Sequence, residues 1–185
     1  MKLVYLLGGF AALFVVWLVV AYNGFIRART RIEEAWSDIE VQLKRRYDLI
    51  PNVIETVKGY AGHEKNVLEN VTAARTRAIG AGTAVEHAVA ENALTSTLKT
   101  LFAVAENYPD LKANANFLDL QRELADTENK IQAARRFYNT QVRDYNIKID
   151  SFPSNTIAGV FGFAKKDFFD LDDADVAQQP VKVVF

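Results

Sequence analysis

The chain has 185 residues, is half hydrophobic, carries a formal net charge of −1 and contains no cysteine. Near-neutral charge removes any global electrostatic case for nucleic-acid binding. The missing cysteines exclude disulfides, thiolate metal sites and a thiol nucleophile, and the length suits one ordinary domain with small additions.

The first element is LVYLLGGFAALFVVWLVVAY, a run of 20 residues from Leu3 to Tyr22 without a charge. A helix of that length spans about 30 Å, the thickness of a bilayer's hydrocarbon core. Tyr5, Trp17 and Tyr22 suit its interfaces. The run exceeds the roughly 7–15 apolar residues of a signal-peptide core, and no small-x-small cleavage site follows it. Without a polar face it does not read as a buried core helix either. Residues 1–24 are therefore expected to form a single-pass anchor in the cell (inner) membrane. Lys2 precedes the span, whereas Arg27, Arg29 and Arg31 follow it. By the positive-inside rule that balance favours the cytoplasm for the rest of the chain.

Beyond Asn23-Gly24 an apolar stripe appears at Ile32, Trp36, Ile39, Leu43, Tyr47 and Ile50, and continues in phase at Ile54, Val57 and Ala61. The spacing is helical, and its phase passes through Pro51 without a slip. Phe25 to Tyr60 therefore reads as one helix kinked at Pro51, with the proline off the buried stripe and the Tyr47 carbonyl freed. Trp36, on the stripe, is expected to be buried. Gly62 is a plausible stop. A second helix is expected over Glu64 to Ile79, ended by the GAG at 80–82. Thr83 and Glu86 form a capping box for a third helix reaching about Glu106. NYPDLKAN reads as a loop turning at Pro109-Asp110. The fourth helix is the longest, Asn116 to Ile149, with a stripe from Leu120 through Ile131 and Tyr138 to Tyr145. Pro153 stops it. The fold class is thus all-α: an anchor, a long-helix bundle of about four helices over 25–150, and an aromatic and acidic segment over 151–185. In that last segment Ser154 or Asn155 is expected to cap a short helix ending near Phe161, followed by irregular chain.

The search for chemistry yields no catalytic residues, no cofactor site and no metal site. His63-Glu64 resembles the start of a zinc-protease motif, but Val67 stands where the second histidine is needed. His87 falls on a helix flank. Asp170 to Asp175 lacks the glycine and the closing glutamate of a calcium loop and reads as a solvated acidic run. Two groups remain as interaction candidates. Lys44, Arg45 and Arg46, next to Pro51, could meet phosphates, although a solvated face paired to Glu40 and Asp48 is the plainer reading. Phe161, Phe163, Phe168 and Phe169 could cap the bundle or enter a membrane interface.

Three long runs, EAWSDIEVQLKRRYDLIPNVIETVKGYAGHE from Glu34, YPDLKANANFLDLQRELADTENKIQAARRFYNTQVRDYN from Tyr108 and FPSNTIAGVFGF from Phe152, resemble the LemA family across nearly the whole chain. The resemblance implies a single membrane anchor followed by a long-helix bundle. It implies no enzyme activity, cofactor or established molecular role. Members with a lipoprotein-type start imply a bundle outside the cytoplasm, against the charge balance. The expected function is a non-enzymatic, membrane-anchored scaffold that self-associates as a homo-oligomer through coiled-coil-like stripes. A membrane-remodelling or lipid-binding protein, with membrane lipid as partner, is the first alternative. An adaptor for an envelope protease or transporter, with a membrane protein as partner, is the second.

Overall fold

A computed structural model describes residues 1–169. The acidic run from Asp170 lies outside them. The described chain is all helical: α1 (Lys2–Tyr60), α2 (Lys65–Ile79), α3 (Ala84–Ala105), α4 (Pro109–Lys112), α5 (Ala115–Asp150) and α6 (Ser154–Phe161).

The 59-residue α1, about 89 Å long at 1.5 Å per residue, absorbs both the uncharged span and the helix expected to start at Phe25. No break falls at Asn23-Gly24. Continuing a helix adds one hydrogen bond per residue, whereas restarting it costs a new nucleus. Lys148 of α5 also lies against Gly24 and places its ammonium 4.6 Å from the centre of the Phe25 ring. No residue of the uncharged part is buried, its end at Ala21 and Tyr22 meets the bundle, and it is long enough to cross a membrane; burial becomes complete first at Phe25.

From Phe25 onward α5 runs antiparallel along α1, pairing Phe25 with Tyr145 at one end and Tyr60 with Asn114 at the other. The α2–α3 hairpin covers the far half of this pair. Its α3 opens with the expected capping box, Thr83 accepting from the Glu86 amide and Glu86 accepting from the Thr83 amide. Pro109 begins the four-residue α4 where a loop was expected. Proline suits a first helical turn, and the turn drops Leu111 fully into the core.

The near half of the α1–α5 pair has no helical hairpin over it. The C-terminal segment fills that place. In α6, Ile157 and Ala158 are buried. After Gly162, in the left-handed conformation at φ 70°, residues 163–169 run back along α5. Asn146 accepts from the Lys166 amide at 3.0 Å and donates to its carbonyl at 2.9 Å, Tyr138 donates to the Asp167 carbonyl at 3.1 Å, and Asn139 accepts from the Phe169 amide at 2.9 Å. This stretch is irregular, as expected, but pinned. The expected cap of α6 does not form. Ser154 Oγ instead donates 2.7 Å to the Lys148 carbonyl at the end of α5.

Two apolar clusters result. The far one joins Ile50, Val53 and Val57 to Leu68, Val71, Leu94, Leu101, Leu111 and Phe117. The near one joins Phe25, Ile32, Ile39 and Leu43 to Ile131, Tyr138, Tyr145, Ile157 and Phe169. A polar layer lies between them.

Candidate functional site

That layer is built by the run around Arg46. On α1, Arg46 falls between Leu43 and Ile50 on the inward face and is only 3% exposed. Its Nη1 donates to Glu91 of α3 at 3.0 Å and to Glu128 of α5 at 2.9 Å, and its Nη2 donates to Thr95 at 2.8 Å. The Tyr47 hydroxyl donates to the other oxygen of Glu91. Glu91 is 1% exposed. Burial first, and the Glu128 charge beside it, push its carboxyl above the usual glutamate value against the pull of Tyr47 and Arg46. The Tyr47 phenol is pushed well above the tyrosine range, by burial and then by Glu91, and stays a donor.

Arg46 is thus not on a solvated face, and the expectation that it could meet a phosphate is corrected. Its guanidinium already serves three acceptors. A cleft of about 220 Å³ between α3 and α5, with Leu98, Phe102 and Leu124 on its walls, reaches this layer, but the cation at its floor is already paired. Lys44 and Arg45 do lie outside. Lys44 pairs with Asp48 at 2.8 Å, not with Glu40, and Arg45 lies 3.7 Å from Asp126 of α5. Glu40 accepts instead from Trp36 Nε1 at 2.8 Å. Spacing along α1 placed Lys44 and Arg45 outside but named neither partner correctly, Glu40 for Lys44 and Asp48 for Arg45, and nothing in the neighbouring sequence marks Glu91, 45 residues away, as the partner of Arg46.

Pro51 is exposed and α1 passes through it. The Tyr47 carbonyl it frees receives Arg75 Nε of α2 at 2.8 Å. The proline has therefore turned an internal helix bond into an attachment point for the hairpin.

The four phenylalanines separate. Phe163 stacks on Phe25 at 4.7 Å and 15°, and Phe169 is fully buried against Trp36 with Arg135 4.7 Å above its ring. Both pack against protein. Phe161 and Phe168 remain largely exposed, Phe161 with one edge toward Tyr22 at 4.9 Å between ring centres. Trp36, expected in the core, is half-buried beneath Phe169, His87 and Tyr138.

Comparison with known proteins agrees with this architecture. The LemA family model matches residues 35–185. The magnetosome protein MamQ 2 of Paramagnetospirillum magneticum is 24% identical over 182 aligned residues, which cover 84% of this chain and 67% of the relative. MamQ of Magnetospirillum gryphiswaldense is 22% identical over the same shares. Protein LemA of Metamycoplasma hominis is 29% identical over 74% of this chain and 63% of its own length. The chain therefore spans about two thirds of the length of these relatives. None of these names is that of an enzyme. With the family model covering most of its length, and with the anchor-like helix and long-helix bundle that the resemblance implied, this chain belongs to the LemA family.

Proposed function

We propose that the protein is a non-enzymatic scaffold that α1 anchors in a membrane and that self-associates there. The observation that carries this reading is the unbroken course of α1 from the uncharged span into the bundle core. An anchor joined by a flexible linker lets its domain tumble. A helix shared by anchor and core holds the bundle at a fixed tilt and height over the bilayer. Copies held this way share one orientation in a plane, which raises their effective concentration and favours cyclic assembly. Exposed Ile147, Phe152 and Val160 at the membrane end supply apolar surface for contact between neighbours. The buried Arg46 layer supports a structural role, since its polar groups bond to one another across α1, α3 and α5.

The test is the mass of the full-length protein in detergent at micromolar concentration. An oligomer that weakens on Phe152→Ser with Val160→Ser supports the scaffold. A monomer overturns it.

Lipid binding is the second reading, favoured by the location of those same exposed residues level with the end of the span. Phe161 meets Tyr22, the last residue of the uncharged run.

A further inference from the structure

Just beyond the uncharged span, an open cleft of about 330 Å³ lies between α1 and α5. Gly24 forms its membrane end. Arg27 and Arg31 line it from α1, and Gln141, Asp144 and Lys148 from α5. Three cations therefore meet one carboxylate. Arg143 already holds that carboxylate, donating to Asp144 Oδ1 from Nε at 3.1 Å and Nη2 at 3.0 Å. Among the described residues no ion pair or hydrogen bond engages the Arg31 guanidinium or the Lys148 ammonium, which lies over the Phe25 ring, and Arg27 Nε reaches only the Asn23 carbonyl, at 3.4 Å. Glycine at position 24 leaves the room that Lys148 Nζ occupies, since a Cβ there would run into it. Partial burial and then the Arg27 charge hold the Lys148 ammonium below the ordinary lysine value. Three cations thus share the cleft, and among the described residues no carboxylate pairs with any of them.

The height of the cleft says which anion is at hand. Counted from Tyr22 at 1.5 Å per residue, Gly24 stands about 3 Å and Arg31 about 14 Å past the end of the span. The headgroup layer occupies roughly 5–8 Å on each side of the hydrocarbon core. Arg27, about 7.5 Å out by the same count, lies within it, and Arg31, whose backbone is farther out, shares the cleft with Gly24 and Arg27 because helix side chains tilt back toward the N-terminus. At the level of Tyr22, on another flank of α1, α6 presents Val160 and Phe161 to the outside. Apolar surface at the hydrocarbon edge, with the Arg27 and Arg31 backbones about one and a half and two and a half turns beyond it, follows the order in which a bilayer presents acyl chains and then phosphates.

We propose that this cleft binds the phosphate group of an anionic phospholipid, held by Arg27, Arg31 and Lys148 where α1 leaves the bilayer. The site rests on the reading of α1 as a membrane anchor. It does not depend on which face of the membrane the bundle occupies, because both leaflets present phosphates. Guanidinium groups give it directional bonds to phosphate oxygens, and the ammonium adds a point charge. A zwitterionic headgroup brings its own cation into a cleft that already holds three, so net-negative lipids are preferred.

Native mass spectrometry of the full-length protein in detergent, with phosphatidylglycerol and phosphatidylcholine supplied in equal amounts, tests the proposal. The wild type should retain phosphatidylglycerol in roughly tenfold excess, the effect of about one hydrogen bond to a charged group. Arg31→Gln with Lys148→Gln should reduce that excess to near parity, and Lys148→Arg should keep it. Lys148→Met replaces the ammonium over Phe25 by a thioether side chain of similar course, which also packs well on an aromatic ring, and removes the charge. It should lose most of the preference with an unchanged melting temperature, so the test survives if the double variant folds poorly. Equal retention of both lipids by the wild type, or an undiminished preference in Lys148→Met, overturns the site. Inorganic phosphate that displaces the lipid at comparable concentration also overturns it, in favour of a free-phosphate site. Alkaline carbonate washing of membranes checks the anchor separately. Wild type released by the wash overturns the anchoring on which the site rests, whereas lost lipid preference with the protein still in the membrane overturns the site alone.

Discussion

At the scale of single residues, the Arg46 layer has more to lose than any apolar position beside it. Arg46→Ala leaves Glu91 buried without its cation, and breaking a buried pair in this way costs about 3–5 kcal/mol. Chemical denaturation should show that loss. Glu91→Gln keeps one acceptor oxygen for Arg46 and turns the other position into an amide that can donate to the Tyr47 hydroxyl, while removing one of the two carboxylates that share the guanidinium, so its cost should be much smaller. The two variants should also differ in pH dependence. Folding raises the Glu91 pKa above its ordinary 4.5, so the native state holds that proton at pH values where the unfolded chain has released it. Stability from this group is therefore fully present at low pH. It falls as pH rises from 4.5 through the folded value. The wild type minus Glu91→Gln difference should show that decline in denaturation midpoints measured from pH 4.5 upward, and a flat difference would contradict it. Trp36 behaves otherwise. Complete burial would put Trp36→Ala in the range of about 3–5 kcal/mol. Because the ring is only half covered and bonded to exposed Glu40, the expected loss is nearer 2 kcal/mol, most of it from its contacts with Tyr138 and Phe169.

At the scale of elements, Pro51 and Arg75 form a coupled pair. Arg75→Ala should leave the Tyr47 carbonyl without a donor and loosen the hairpin from α1, at a cost of about 1–3 kcal/mol. Pro51→Ala returns an amide to α1 that can bond the same carbonyl. Alone it should be neutral or stabilising, because alanine suits a helix interior far better than proline, and helical circular dichroism should hold or rise. The double variant should then lose less than Arg75→Ala, since the carbonyl keeps one donor either way. Additive changes in this cycle would show that Pro51 and Arg75 do not act through the same carbonyl. Elements also explain why residues 151–169 hold a fixed course. It stands where a bundle helix is missing over the near half of α1 and α5, and Asn139, Asn146 and Tyr138 fasten its backbone.

At the scale of the whole molecule, the uncharged span contributes little to the core, which begins at Phe25. Deleting residues 1–24 should release the protein from membranes and leave the melting temperature of the bundle within a few degrees. Deleting residues 154–185 should do the opposite. It strips Phe163 from Phe25 and Phe169 from Trp36, so the near half should unfold at lower temperature while membrane attachment persists. Such a deletion tests the core more than it tests association. Point changes at exposed Phe152 and Val160 are therefore the cleaner probes of contact between copies.

Sequence alone determined the long helices and most of their inward faces, because both follow from spacing along one chain, whereas the short α4 and the half-exposure of Trp36 did not show there. The phase shared across Pro51, the capping box at Thr83 and Glu86, and the stripe from Leu124 to Tyr145 are local patterns, and each reappears in the fold. The uncharged span is equally local, since a bilayer demands only length and the absence of charge. The fate of Arg46 was not local. Lys44, Arg45 and Arg46 are chemically alike and adjacent, and only the arrival of α3 and α5 takes the third one out of water. The same holds for Phe163 and Phe161, two residues apart, one covering Phe25 and the other half in solvent. The gathering of Arg27, Arg31 and Lys148 required α5 to return antiparallel to the root of the anchor. Periodicity says which side of a helix seeks cover; which distant charge or ring supplies that cover is decided only when the helices pack.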